Sequence, residues 1–188
     1  LTSLVGSEMC IRDRLKADLG PVVVATDSEK ISNVIDAKGG NAILTDANHQ
    51  SGSDRIYEAL SKFDPNSSYD LIINLQGDMP IFDPKVLQNL VSKIKSEDIT
   101  TFVCKANLDQ ISDPNVVKAV ISWDKNDDDH GTALYFSRTQ VPYNALTYWH
   151  HIGIYAWKRK SLKKFISFPV SNLEKTEKLE QLRALENG

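Results

Sequence analysis

Short apolar runs and amphipathic stripes take turns along the first half of the chain. Pro21-Val-Val-Val-Ala-Thr-Asp27 has the pattern of a short buried strand ending in polar residues. Ile31, Val34 and Ile35 then fall on one helical face, and Gly39-Gly40 closes that helix, as glycine past a C-terminus commonly does. Asn41-Ala-Ile-Leu-Thr45 predicts a second strand. After the polar loop 46–52, Ser53 predicts the cap of a helix whose Ile56, Ala59, Leu60 and Phe63 form an i, i+3, i+4, i+7 stripe. Residues 64–70 are a turn-rich connection. Asp83-Pro84 predicts a cap and first-turn proline for a helix with Leu87, Leu90, Val91 and Ile94 inward. Residues 99–105 predict another strand. This alternation specifies an α/β fold, a mostly parallel twisted sheet flanked by helices.

Beyond Asn107 the pattern turns more antiparallel. Residues 116–123, 132–137 and 151–157 read as strands with no long helix between them, and 126–131 as a turn whose acids are solvated. Residues 158–168 predict a short helix. Ser171 and Glu174 have capping-box spacing and predict a final helix carrying Leu173, Leu179, Leu182 and Leu185. No repeat or linker divides the chain, so 15–188 is read as one domain.

Asp70-Leu-Ile-Ile-Asn-Leu-Gln-Gly-Asp78 is the most informative run. Its almost wholly apolar body suits a strand buried on both faces. Gly77 frees the backbone to turn, and Asp78 follows at the strand's carboxyl end. Ligand crevices of open α/β sheets lie outside those ends. A carboxylate there can hold a hard cation such as Mg2+, or it can be a turn residue or helix cap. Thr26-Asp27 and the loop 46–55 end their own strands at the same predicted edge. Within that loop, Ser51, Gly52 and Ser53 start a helix, where free N–H groups and the dipole favour an anion. Asp54 and Arg55 add an acceptor and a forked donor.

The chain has 188 residues and a net charge of -3, which gives no general attraction to nucleic acid or anionic membrane. An anionic substrate must therefore meet local Arg or Lys. Cys10 and Cys104 have no metal spacing and make no disulfide framework, and a reducing, cytoplasmic setting is the default. No apolar run is long enough for membrane insertion. Residues 1–14 lack periodicity, carry charge at Arg12, Asp13 and Arg14, and resemble translated adapter sequence. They are read as foreign to the fold and not as a signal peptide.

Six runs occur here in order: Val24-Ala-Thr-Asp27, His49-Gln-Ser-Gly-Ser-Asp-Arg55, Asn74-Leu-Gln-Gly-Asp78, Ala133-Leu-Tyr-Phe-Ser-Arg138, His151-Ile-Gly-Ile-Tyr155 and Leu179-Glu-Gln-Leu-Arg-Ala-Leu185. Together they resemble the motif series of the 3-deoxy-manno-octulosonate cytidylyltransferase (CMP-Kdo synthetase) family, over roughly residues 15–188. The resemblance implies a nucleotide-diphospho-sugar transferase-like fold. It also implies activation of 3-deoxy-manno-octulosonate (Kdo) by CTP with Mg2+, for lipopolysaccharide synthesis, in a homodimer. It implies that Asp78 is the magnesium ligand and that His49, Ser51, Gly52, Asp54 and Arg55 line the cytidine pocket. Gln76, Arg138, His151, Tyr155, Glu180 and Gln181 would face Kdo, with Asp78 and Arg138 central to catalysis. Arg138 can bind the Kdo carboxylate through paired hydrogen bonds.

On the residues alone, Arg138 can equally pair on the surface, and His151 and Tyr155, an even step apart, can share a site or a core. Glu180 and Gln181 lie about 100° apart on a helix and cannot both point straight at one ligand. Trp123, Trp149 and Trp157 can supply a dimer surface or the core.

The family's first strand with its basic, glycine-containing loop has no counterpart here, nor does its late Val-Asp-Thr-Pro type segment. Met79 stands where the family has Glu, and His150 where Arg or Lys is common. The expectation is a chain truncated at both ends and inactive by itself, from an active gene product. A cytidylyltransferase for sialic acid or amino-substituted Kdo, and a non-catalytic nucleotide- or sugar-binding domain, are the rival readings.

Overall fold

A computed structural model describes residues 19–49, 51–76, 84–94 and 97–188. Their elements run β1 (Val23–Thr26), α1 (Glu29–Ala37), β2 (Asn41–Leu44), α2 (Gly52–Phe63), β3 (Leu71–Asn74), α3 (Pro84–Lys93), β4 (Ile99–Lys105), α4 (Leu108–Ser112), β5 (Lys118–Trp123), β6 (Gly131–Ser137), β7 (Trp149–Lys158), α5 (Arg159–Ile166), α6 (Asn172–Glu177) and α7 (Gln181–Glu186). The α/β class read from the sequence holds. The described residues form two compact units, one from those between Leu19 and Thr100 with Tyr155–Ile166, the other from Thr101–Ile154 with Ser167–Gly188.

In the first unit, β1 and β2 pair in parallel, from Val23 opposite Asn41 to Thr26 opposite Leu44. Parallel neighbours need a crossover, which α1 supplies. Ser28 caps α1, its Oγ accepting the Ile31 N–H at 3.4 Å. Ile35 is buried, but Ile31 is 41 % exposed and lies off the packed face. Gly39, at φ +75°, ends the helix.

α2 starts two residues earlier than the sequence suggests. Ser51, with φ -134° and ψ 159°, is the extended cap residue. Ser53 is already helical and buried.

β3 departs from the expectation of burial on both faces. Ile72 and Asn74 are buried while Leu71 and Ile73 are half-exposed, because a strand's side chains alternate between faces. Its described partner is the second half of β7, antiparallel, with Ile72 opposite Trp157 and Asn74 opposite Tyr155. The run buried on both faces is instead Ile154, Tyr155, Ala156 and Trp157 of β7, each at most 4 % exposed. α3 buries Leu87 and Leu90 as its stripe predicts. The predicted cap Asp83 lies outside the described residues. Asp64, buried, accepts the Ser68 and Tyr69 N–H groups and pairs with Arg159 of α5.

In the second unit, β5 pairs antiparallel with β6, and Lys118 of β5 lies opposite His150 of β7. The β5–β6 register shifts where Val120 faces Tyr135 but Ile121 faces Ala133, leaving Leu134 as the extra residue of a bulge. Gly131 sits at a close approach: a Cβ there would stand 2.8 Å from the Ser122 carbonyl oxygen.

The short helix α4 was not expected, although its signal is present. Asn107 accepts the Gln110 N–H at 3.0 Å and Gln110 accepts the Asn107 N–H at 2.9 Å, a reciprocal capping box. The Ser171–Glu174 capping box forms as predicted. The single final helix does not. Lys178 takes a left-handed conformation, φ 55° and ψ 48°, and splits it into α6 and α7. The split lets Leu179 and Leu182 join Ala119 and Phe136 in the core, while Leu173 and Leu185 stay over a third exposed.

Candidate functional site

The first unit brings the end of β1, the end of β2 and the start of α2 together. Arg55, on the first turn of α2, donates from one terminal nitrogen to Asp27 Oδ2 and from the other to Thr45 Oγ1, both at 2.7 Å. Two of the three polar segments predicted to converge therefore do so. Gln76 is exposed just beyond β3, and Asp78 lies outside the described residues.

Ser51 and Asp54 bond reciprocally. Asp54 N–H donates to Ser51 Oγ at 3.2 Å, and the Ser51 hydroxyl donates to Asp54 Oδ2 at 2.7 Å. Space beside Gly52 is open, since a Cβ there would meet nothing within 4 Å. A helix start with open space beside it can receive an anionic or polar ligand. His49 contacts Glu58 of α2 through Nε2. Glu58 was missed by sequence reading, though its i, i+4 spacing from Lys62 was visible. A Lys62 hydrogen bond, the Asp46 N–H and His49 hold the Glu58 carboxyl down at about 2.

The second unit carries Arg138, His151, Glu180 and Gln181. Arg138 ends β6, and its guanidinium donates to three main-chain carbonyls: Glu177 at 2.9 Å, Pro114 at 3.1 Å and Lys178 at 3.2 Å. Three of its five donors are thus engaged within the protein. The Glu177 carboxylate receives the Arg138 N–H at 3.0 Å and the Ser137 hydroxyl at 2.7 Å. Burial acts to raise the Glu177 pKa, but the Arg138 N–H and the Ser137 and Tyr135 hydroxyls outweigh it and hold it low. Glu180 and Gln181 begin α7 just past this joint. Gln181 is buried and Glu180 half-buried, as residues pointing apart should be.

Lys118 was also missed. It lies wholly buried on β5, and its ammonium donates to the carbonyls of Asp113 at 2.8 Å, Val116 at 2.7 Å and Arg138 at 2.6 Å. Burial pushes its pKa down. Three acceptors need three donors, so the site holds the ammonium and not the amine. A lone lysine within an apolar strand is the signal that could have marked it.

His151 is buried in this structure. Its ring meets Phe136 edge-on at 4.8 Å, and Nε2 lies 2.9 Å from Thr101 Oγ1. The Thr101 hydroxyl has one proton and donates it to the Ile154 carbonyl at 2.7 Å, so Nε2 carries the His151 proton. Tyr155, predicted to share its face, is buried beside Trp157.

Burial, with His150 adding, pushes the His151 pKa down to about 4. Between its ordinary value of 6.5 and 4, the unfolded chain binds a proton that the folded chain refuses. Stability is therefore present above 6.5 and lost as pH falls through that window, by about 3 kcal/mol. Urea unfolding at pH 7 and pH 4 measures the loss, and His151→Gln should flatten it.

Three comparisons bear on this site. The Cytidylyltransferase family model matches residues 8–188. The 3-deoxy-manno-octulosonate cytidylyltransferase of Paramagnetospirillum magneticum is 45 % identical over 194 residues, covering 100 % of this chain and 78 % of that protein. The protein of the same description from Xanthobacter autotrophicus is 46 % identical over 175 residues, covering 92 % of this chain and 68 % of its own. A solved structure of CMP:2-keto-3-deoxy-manno-octonic acid synthetase complexed with CTP superposes with a TM-score of 0.84 at 32 % identity, covering 96 % of this chain and 74 % of the other.

Proposed function

The chain belongs to the Cytidylyltransferase family, and we propose that it transfers CMP from CTP to Kdo, releasing pyrophosphate. The observation that carries this reading is the 45 % identity to a 3-deoxy-manno-octulosonate cytidylyltransferase across the whole chain. The helix start at Ser51 and Gly52, with open space beside it, supports a nucleotide on the first unit.

In this reading His49, Ser51, Gly52, Asp54 and Arg55 line the CTP side. Gln76, Arg138, His151, Tyr155, Glu180 and Gln181 serve the sugar side. The anomeric hydroxyl of Kdo attacks the α-phosphorus in line, the new O–P bond forms, and the bond to pyrophosphate breaks. Mg2+, held by Asp78, would offset phosphate charge. Among the described residues no group of three or more His, Cys, Asp or Glu side chains is arranged for a metal, and Asp78 lies outside them.

The product would feed lipopolysaccharide synthesis from the cytoplasm. Among the described residues no helix is long and apolar enough to cross a membrane. The homodimer would use the second unit. Leu108 is 86 %, Tyr143 97 % and Leu146 106 % exposed, an apolar rim of the kind that marks an interaction surface. They border a cavity of about 870 Å³ that also includes Asn107, Gln140 and Tyr148. Of the tryptophans, Trp157 is buried, while Trp123, 37 % exposed, packs on Trp149 at 4.7 Å.

Pyrophosphate release with CTP, Kdo and Mg2+ tests the reading, on this chain and on the product of the gene that encodes it. Release from the gene product that requires both CTP and Kdo is expected, with sedimentation at twice the protomer mass. Turnover with a sialic acid but not Kdo would replace the sugar assignment. No turnover with any acidic sugar would remove the catalytic one.

A further inference from the structure

We infer that Glu58 is the positioning residue of the nucleotide-side loop and acts through His49. This rests on the CTP reading for its functional meaning and on geometry for the rest. Glu58 lies on α2, one turn beyond Asp54 and Arg55. Its Oε2 accepts the Asp46 N–H at 2.9 Å and also contacts His49 Nε2. Its Oε1 takes the Lys62 ammonium at 2.6 Å. One carboxylate thus ties both Asp46, just after β2, and His49 to the helix that Ser51 caps.

The loop adds its own turn, with Asn48 donating to Asp46 Oδ1 from the main chain at 2.8 Å and from the side chain at 2.9 Å. Asp46, His49 and Ser51 are therefore each held by a contact to α2. Lys62 first, then the Asp46 N–H and His49, keep Glu58 ionised at any pH where proteins function. An ionised carboxylate only accepts, so the nitrogen of His49 that faces it carries a proton. The ring is held in one orientation, leaving Nδ1 as the nitrogen available to other partners.

The effect of Glu58 on a ligand passes through the histidine it orients. A misplaced ligand-facing group commonly costs a large factor in binding or rate, even when the altered residue is remote from the chemistry.

Two readouts test this. Two-bond 1H–15N spectra of the 188-residue chain should show His49 as one Nε2–H form that Glu58→Ala converts to a mixture. Hydrogen exchange at the Asp46 amide should quicken about tenfold in the same variant. Lys62→Ala should leave both readouts near wild type, and Glu58→Gln, which keeps an acceptor without the charge, should fall between. An unchanged His49 spectrum and Asp46 exchange in Glu58→Ala overturns the inference.

The second readout is CTP titration. Glu58→Ala and His49→Ala should each weaken binding about tenfold, and the double variant scarcely more than the worse single. Multiplying effects would mean that Glu58 does not act through His49. A wild-type chain that takes no CTP strikes the nucleotide reading, and the His49 spectrum and Asp46 exchange then decide the role of Glu58 by themselves.

Discussion

Lys118→Met is expected to destabilise the chain by about 3–5 kcal/mol. Methionine keeps the length and apolar stem of lysine but donates nothing. The Asp113, Val116 and Arg138 carbonyls would all lose a donor that now stands within 2.8 Å. An orphaned buried acceptor costs about 1–3 kcal/mol, and partial solvent access at the half-buried turn lowers the sum. Guanidinium unfolding should show the midpoint fall without a change of slope, and the melting temperature should drop by roughly 10 °C or more. Lys118→Arg should not rescue it, because a planar fork cannot aim at three carbonyls that converge on one point. A loss under about 1 kcal/mol would mean that water reaches these carbonyls freely.

The second large effect concerns the joint between α6 and α7. Arg183 binds Glu174 in a bidentate pair, Nε to Oε2 at 2.8 Å and a terminal nitrogen to Oε1 at 2.6 Å, with both residues buried. Removing either partner strands the other's charge, so Glu174→Gln and Arg183→Met should each cost about 3–5 kcal/mol. Replacing both with apolar residues of similar size should cost less than either alone.

The acid response gives a separate signature. Burial acts to raise the Glu174 pKa, but Arg183 and the Ser171 N–H outweigh it and hold it below 4.5. The folded chain therefore releases the proton more readily than the unfolded chain. The stabilisation is complete above pH 4.5 and lost as pH falls through the lower folded value. Glu174→Gln should flatten this acid limb while leaving the His151 window above it in place. Parallel acid limbs in the variant and the wild type would contradict the assignment.

Much of the fold was legible because periodicity reports which side of an element is packed. The α2 stripe, the α3 leucines and the β5, β6 and β7 runs all lie where spacing put them. The α6–α7 split was not legible. Its leucines fit one helix, and the break rests on Lys178, a residue with no intrinsic claim to a left-handed conformation. Leu179 and Leu182 reach the core only because of that break, so tertiary packing overrode the local pattern. The shift of the α2 cap from Ser53 to Ser51 is a smaller instance, since either serine can cap and only the backbone before Gly52 decides.

The motif series singled out the loop 46–55 and Asp27, which the fold joins through Arg55. It could not find Glu58 or Lys118, whose roles depend on groups that the fold brings to them. Lys118 is bonded to carbonyls on two separate segments, and its own strand gives no hint of them. Arg138 illustrates the converse: a residue picked as a ligand binder also spans three carbonyls of the scaffold.

The way the charges are housed sets how the chain meets changing ionic strength. The second unit keeps its main cations, Lys118 and Arg183, away from solvent, where mobile ions cannot screen them. The ties on Glu58 are nearer the surface, with Lys62 half-exposed. Concentrated salt therefore reaches the Glu58 ties of the first unit before it reaches Lys118 and Arg183 of the second, and the two sets of contacts differ in their tolerance of brine.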